Sequence, residues 1–182
     1  MIRFQILFAL FLSFALPGFA QERFSPFVPS NEVNVERMVK IANLRPGETV
    51  MDLGSGDGRI VMAAAQAQSG VCGIGVEIDA ELVQKSNAEA QNLDDRVRFE
   101  HRNAFDADLR NADVIFMWLF PELMRLLRTK ILAEAKPGAR IVAATWDMGN
   151  WPVDAMEEIR VPWRARRSTL PRYFAPTGTK LL

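Results

Sequence analysis

A short apolar run leads into three glycines at alternate positions: Val50-Met51-Asp52-Leu53-Gly54-Ser55-Gly56-Asp57-Gly58-Arg59-Ile60. Glycines at such a strand-to-helix turn let the backbone bend sharply and approach a ligand closely. The spacing is G-x-G-x-G, because Arg59 stands where a dinucleotide fingerprint has its third glycine. Asp52 precedes the first glycine. A pyrophosphate would not favour a carboxylate there, whereas a ligand carrying an ammonium group would. A second acid, Glu77, closes the run Gly73-Ile74-Gly75-Val76-Glu77 at the end of the next expected strand. An acid in that place can accept from both ribose hydroxyls of a nucleoside. A glycine-rich turn alone carries little weight. With Asp52 before it and Glu77 after the next strand, it points to a nucleoside ligand with a cationic end.

Other chemistries are poorly supplied. The chain has one histidine, His101, and one cysteine, Cys72. That excludes a disulfide framework within the chain and a zinc site built on His and Cys, so no metal is expected. His101 has no nucleophile motif near it, and a strand-end histidine with a local hydrogen bond is the expectation. Cys72 is expected as a small buried apolar residue. Met117, Met124 and Met148 are expected to pack rather than ligate. The 22 basic and 22 acidic residues balance, so charge does not call for a nucleic acid. The balance hides an asymmetry. Residues 21–158 hold 15 basic and 22 acidic residues, while residues 159–182 hold six basic residues and no acid. The basic end is expected to be a solvated hairpin; the alternative is contact with anionic lipid or an acidic partner.

Positioning Asp52 and Glu77 requires strands that end side by side. Ser30 is expected to cap a helix over 31–44, with Val35, Met38, Val39 and Ala42 on one face. Strands are expected at 49–53, 71–76, 97–101, 114–118 and 141–145, with helices over 60–68, 80–92 and 121–135 in three of the four intervals between them. Two β-like runs without an intervening helix, 158–163 and 172–175, suggest an antiparallel hairpin. Strand–helix alternation predicts an α/β fold: a doubly wound, mostly parallel seven-stranded sheet with a C-terminal antiparallel hairpin.

The first residues have a different character. Arg3 is followed by the apolar run 4–16, then Pro17-Gly18-Phe19-Ala20. This is the three-part pattern of a secretory signal peptide with a small-residue cleavage site. About 16 apolar residues span roughly 24 Å as a helix, short of a bilayer core of about 30 Å. Residues 1–20 are therefore expected as a signal peptide, with an uncleaved membrane anchor as the alternative. An anchor would favour a cytoplasmic domain, because Arg23, Arg37, Lys40 and Arg45 follow it. Residues 21–30 are expected to form a proline-punctuated linker, and 31–182 the folded domain that carries the glycine loop.

The loop Asp52–Gly58 with Glu77 resembles the class I S-adenosylmethionine (SAM)-dependent methyltransferases. The resemblance implies a Rossmann-like fold, SAM as donor, S-adenosylhomocysteine (SAH) as product, and cofactor contacts at Asp52, Gly54, Ser55, Gly56, Gly58 and Glu77. It also implies adenine contacts at Asn103, where that family usually has an acid, and at Ala104, with Phe105 nearby. A closer resemblance follows Phe27-Val28-Pro29-Ser30, Leu44-Arg45-Pro46-Gly47-Glu48, the run 115–124 and Lys136-Pro137-Gly138. This order is similar to small membrane-associated protein-lysine methyltransferases of mitochondria and their bacterial relatives. Known mitochondrial members modify the ATP synthase c subunit or the adenine nucleotide translocase.

The closer resemblance implies a lysine on a protein substrate, including membrane proteins, and in-line methyl transfer. The acceptor is then expected at the end of the fourth strand, with Trp118, Phe120 and Pro121 as its wall and Asp147 after the fifth strand. Trp146 and Trp151 are further aromatic candidates. No Asn/Asp-Pro-Pro-aromatic motif occurs, so nucleic-acid bases are not the expected acceptor. Two alternatives stand beside this reading: methylation of a small molecule such as a quinone precursor, lipid or amine, and a non-catalytic SAM-binding assembly factor.

Overall fold

A computed structural model describes residues 27–93, 95–144, 148, 150–160 and 167–174, with the backbone alone at 157–160, 167–170 and 174. The leader 1–20, most of the linker, Trp146 and Asp147 lie outside the described residues, as does most of the basic end. The elements run α1 (Glu32–Ala42), β1 (Thr49–Leu53), α2 (Arg59–Ala67), β2 (Cys72–Glu77), α3 (Ala80–Glu89), β3 (Val97–His101), β4 (Val114–Met117), α4 (Pro121–Glu134), β5 (Arg140–Ala143), β6 (Ala155–Arg160) and β7 (Arg167–Phe174). The seven strands form one sheet in the order β3-β2-β1-β4-β5-β7-β6. β1 to β5 pair in parallel, and β7 joins β5 and β6 antiparallel. The expected doubly wound sheet with its terminal hairpin is what forms.

Burial on both faces explains the apolar strands. β4 and β5 are buried along their whole length, as strands sandwiched between layers must be. One face packs Val50, Phe99, Val114, Phe116 and Val142 against residues of α1 to α3 such as Met38 and Val61. The other packs Met51, Leu53, Ile115, Met117 and Ile141 against Met124, Leu127 and Ile131 of α4. Met117, Met124 and Met148 are all fully buried in this second core. Arg140 is also buried; it donates to the Asn43 carbonyl at 2.9 Å and pairs with Glu48. It thereby ties the end of α1 and the approach to β1 onto β5.

Several boundaries differ from expectation for local reasons. α1 is capped by Asn31, not Ser30: the Asn31 side chain accepts from the Asn34 N–H at 2.8 Å. The helix stops at Ala42 because Asn43 adopts a left-handed conformation at φ 50°. The expected helix over 80–92 finishes as a 3₁₀ turn, Ala90–Asn92. β6 begins three residues before its expected run, whose last three residues lie outside the described residues, and β7 is longer than its run. Pro171 sits within β7, where it pairs with Met156 and has no β5 partner. A strand tolerates a proline where one side makes no ladder.

Cys72 corrects an expectation. It opens β2 and is exposed. Cys72, Ile74 and Val76 alternate onto the second sheet face. There, no helix lies between β3 and β4, only a 3₁₀ turn at Ala104–Asp106 and a loop. We therefore expect the thiol of the folded protein to react with an aromatic disulfide reagent as fast as a free thiol. Reaction only after denaturation would show that it is covered.

Candidate active site

The chain runs β1-β2-β3 toward one edge and then returns to place β4 and β5 on the other side of β1. Ligands of open α/β sheets bind outside the strand ends at such a reversal. A cleft opens there. It is lined at the end of β1 by Asp52, Gly54, Ser55, Gly56, Asp57 and Arg59. Val76, Glu77, Ile78 and Asp79 line it after β2, and Asn103, Ala104 and Phe105 after β3. Trp118, Leu119 and Leu123 line it after β4.

The glycine loop is held from inside the sheet. Gly54 and Ser55 both donate to the Val76 carbonyl, at 2.9 and 3.0 Å. Gly58, at φ 80°, precedes α2 and takes a conformation that side chains disfavour. A Cβ on Gly54 would stand 2.5 Å from a methyl of Leu119, so the loop and the β4 end touch directly.

Glu77 organises the same loop. One carboxylate oxygen accepts from the Gly56 N–H at 2.9 Å. The other accepts from the N–H groups of Ile78 and Asp79, at 2.8 and 3.0 Å. A carboxylate offers about four lone-pair sites and three are taken, so the oxygen bonded to Gly56 keeps acceptor capacity. The sequence pointed to a ribose contact; the structure adds that Glu77 fixes the loop facing it.

Asp52 is the unusual group. It is 1% exposed, it lines the cleft, and neither carboxylate oxygen has a hydrogen-bond partner. Burial pushes its carboxyl well above the usual carboxylate range, and the charges of Glu77 and Asp57 push it further. A buried acid without a partner is costly to ionise unless a cation arrives.

The other expected contacts divide. The side-chain oxygen of Asn103 accepts from the Phe105 N–H at 3.0 Å and so builds the 3₁₀ turn beside the cleft. Ala104 and Trp118 line the cleft. Phe120 and Pro121 are not among its lining residues: Phe120 is 44% exposed and precedes α4, and Pro121 begins that helix. Trp151 is buried in the second core, with its ring centroid 5.6 Å from that of Tyr173 and the Arg128 guanidinium 5.9 Å from its centroid. It packs rather than lining the cleft. Trp146 and Asp147 lie outside the described residues. His101 is exposed, with Nε2 3.1 Å from the Ile78 carbonyl, the local bond expected of it. Among the described residues no group of three or more His, Cys, Asp or Glu could hold a metal.

Sequence reasoning missed Phe27, Val28 and Ser30, which wall the cleft from ahead of α1. It also missed Leu119 and Leu123. The segment Phe27-Val28-Pro29-Ser30 carried the only available signal: two large apolar residues in a proline-rich stretch before a capped helix.

The sequence matches the model of the ANTKMT methyltransferase domain over residues 52–155, more than half of the chain. The chain belongs to this family. It is a SAM-dependent methyltransferase of class I. It is 34% identical over 128 residues to a protein-lysine N-methyltransferase of Saccharolobus islandicus, covering 69% of this chain and 80% of that one. It is 33% identical over 140 residues to the mouse adenine nucleotide translocase lysine N-methyltransferase, covering 73% of this chain and 58% of the mouse protein. The methyltransferase thus spans little more than half the length of that mitochondrial relative. Among solved structures, an RNA methyltransferase of Salinibacter ruber in complex with SAH superimposes with a TM-score of 0.74. The two are 32% identical, with 84% of this chain and 97% of that one covered.

The cleft fits SAM on its own chemistry. An orphaned carboxylate suits a ligand with an ammonium and a sulfonium. A glycine loop without side chains admits close approach, and one Glu77 oxygen has acceptor capacity left for a hydroxyl group. Asp52, Glu77 and the loop 54–58 are the residues that would hold it.

Proposed function

We propose that the methyltransferase N-methylates the ε-amino group of a lysine on a protein. The observation that carries this reading is the kinship with the archaeal protein-lysine N-methyltransferase, which extends over 80% of that protein. The cleft supports it. Its wall at the β4 end is Trp118, Leu119 and Leu123, an apolar surface beside the glycine loop. When bound, SAM supplies a methyl group on a positively charged sulfur that is already an activated leaving group.

The chain then has to position an amine and exclude water. A lysine ammonium, with an ordinary pKa of about 10.4, must lose its proton first. Apolar surroundings disfavour the charged amine and lower its pKa. Trp118 and the two leucines provide such surroundings, and an aromatic face also tolerates a methylated ammonium product. Asp147 is proposed to meet the incoming amine from the β5 side. Where the leader stays as an uncleaved anchor instead of being removed as a signal peptide, we further propose that the domain faces the cytoplasm, where SAM is made. A reporter after Leu182 that is active only in the periplasm would overturn that topology.

A second reading is favoured by one observation: the Salinibacter relative is an RNA methyltransferase. The net acidic charge of residues 21–158 speaks against a polyanion on that surface.

The test is label transfer. The full chain is incubated with methyl-labelled SAM and with soluble and membrane extracts of cells lacking it. We expect a discrete labelled protein that yields methyl-lysine on hydrolysis, and no label with Glu77→Ala. That variant is also expected to bind SAH at least about tenfold more weakly, since hydrogen bonds to a charged group are worth about 1.5–3 kcal/mol. Label in RNA would favour the second reading. Label in an organic fraction would indicate a small-molecule acceptor. SAH binding without any transfer would indicate a non-catalytic role.

A further inference from the structure

The segment ahead of α1 is irregular, yet Phe27, Val28 and Ser30 form part of the cleft wall. Phe27 lies directly against the glycine loop. Two atoms of its ring sit 2.5 and 2.8 Å from where a Cβ on Gly56 would stand. Only a residue without a side chain admits that approach, and the φ of 55° at Gly56 favours glycine as well. Gly56 is fixed from behind: its N–H donates to Glu77, and its carbonyl accepts from the Ser86 hydroxyl at 3.3 Å. The loop is therefore a rigid platform, and the segment 27–30 is a strap across it.

The strap is fastened by Arg59. Its Nε donates to both oxygens of Asp57, at 2.8 and 3.1 Å, and its Nη2 pairs with the same carboxylate. Its Nη1 donates to the Ser30 carbonyl. A guanidinium presents donors on two edges, so one side chain can hold Asp57 and reach Ser30 together. The position is otherwise unfavourable. Arg59 is the first residue of α2, and that helix has no acid in its first turn. The positive end of the helix dipole disfavours a cation there. Asp57 offsets this: burial pushes its carboxyl up, but hydrogen bonds and charge from Arg59 outweigh that and hold it below the usual range. Asn31, which caps α1, holds this same end of the strap next to Ser30.

We propose that Arg59 is a positioning residue for the cofactor site: braced by Asp57, it clasps the Ser30 carbonyl and holds Phe27 over the glycine loop as a wall of the SAM pocket. The proposal rests on the SAM site described above. Phe27 touches the platform that faces the cofactor, whereas Arg59 acts only through the strap.

The experiment titrates SAH into the full chain by calorimetry for the wild type, Phe27→Ala, Arg59→Gln, Arg59→Lys and the Phe27→Ala/Arg59→Gln double variant, with a melting curve for each. Phe27→Ala and Arg59→Gln are each expected to weaken binding about tenfold. Arg59→Lys, which keeps the charge but cannot bridge both partners, should fall between wild type and Arg59→Gln. The double variant should bind about as weakly as the weaker single, because both changes release one strap. Single variants within twofold of the wild type would overturn the proposal, as would effects that multiply in the double variant. A lowered melting temperature at Arg59→Gln with unchanged SAH binding would also overturn it, since Arg59 would then only hold the fold. Should Arg59→Gln not fold, Phe27→Ala decides by the same criterion, because it changes no helix or strand. A wild type that binds no SAH would instead overturn the cofactor site itself.

Discussion

Asp52→Asn should make the ligand-free protein more stable and SAM binding much weaker. In the free protein the Asp52 carboxylate is buried with no partner for either oxygen. Burial, then Glu77 and Asp57, raise its pKa in the fold. The folded chain therefore keeps this proton to higher pH than the unfolded chain does. Stability must fall as pH rises from the ordinary carboxylate value of about 4 toward the folded value, and then level off. Asparagine removes that slope. Leaving a buried polar group unsatisfied costs about 1–3 kcal/mol, and more when it is charged. Relief of part of that cost should raise the melting temperature at pH 7 by roughly 2–8 °C. Truncating one side of a buried charge pair costs about 2–5 kcal/mol. SAM affinity should accordingly drop about 30-fold or more. Calorimetry of binding and melting curves between pH 4 and 8 check both halves. A variant with SAM affinity within threefold of the wild type would show that Asp52 does not meet the cofactor's charge.

Gly75→Ala should damage fold and site together. Gly75 pairs with Asp52 on one side and with Phe99 on the other. The buried Phe99 ring lies across it: a Cβ on Gly75 would stand 2.2 and 2.5 Å from ring atoms and 2.7 Å from the Ser55 hydroxyl. The same ring reaches the turn before α2, 2.3 Å from where a Cβ on Gly58 would be. Phe99 therefore fills a slot made by two glycines, one in the sheet and one in the loop. Overpacking of this kind costs about 1–3 kcal/mol. Because the displaced ring presses on the glycine loop, SAH binding should weaken as well. Gly75→Ala/Phe99→Leu should recover part of the stability, giving a coupling of about 1 kcal/mol or more. Strict additivity would mean that the ring does not meet the new methyl group.

The strand ends were the legible part of this protein. Residues 49–53 and 97–101 are apolar or alternating runs bounded by turn residues, and both appear as β1 and β3 with those limits. The hairpin was less so. β7 begins at Arg167, within a stretch that holds Pro171 and no alternating apolar pattern, so pairing rather than local preference extends it. Cys72 was misplaced for a related reason. Its position in a β strand was clear, but whether that face is covered depends on the short segment between β3 and β4. Phe120 and Trp151 looked alike as aromatic candidates near strand ends. One is exposed ahead of α4 and the other is held in the core by Tyr173.

By itself the sequence determined the sheet, the glycine turn, and the two acids that belong to a nucleoside-binding site. Those features are local: strand periodicity, glycine conformation and an acid at a strand end act over a few residues. Only the tertiary structure decided what closes the site. The strap 27–30 meets Gly56 and Arg59 across some thirty residues of chain, and Phe99 meets Gly58 across about forty. Likewise, no local pattern shows that Asp52 lacks a partner. Its isolation arises when β2 and β4 flank β1 and fence the carboxylate from water, where only an incoming cation can answer its charge.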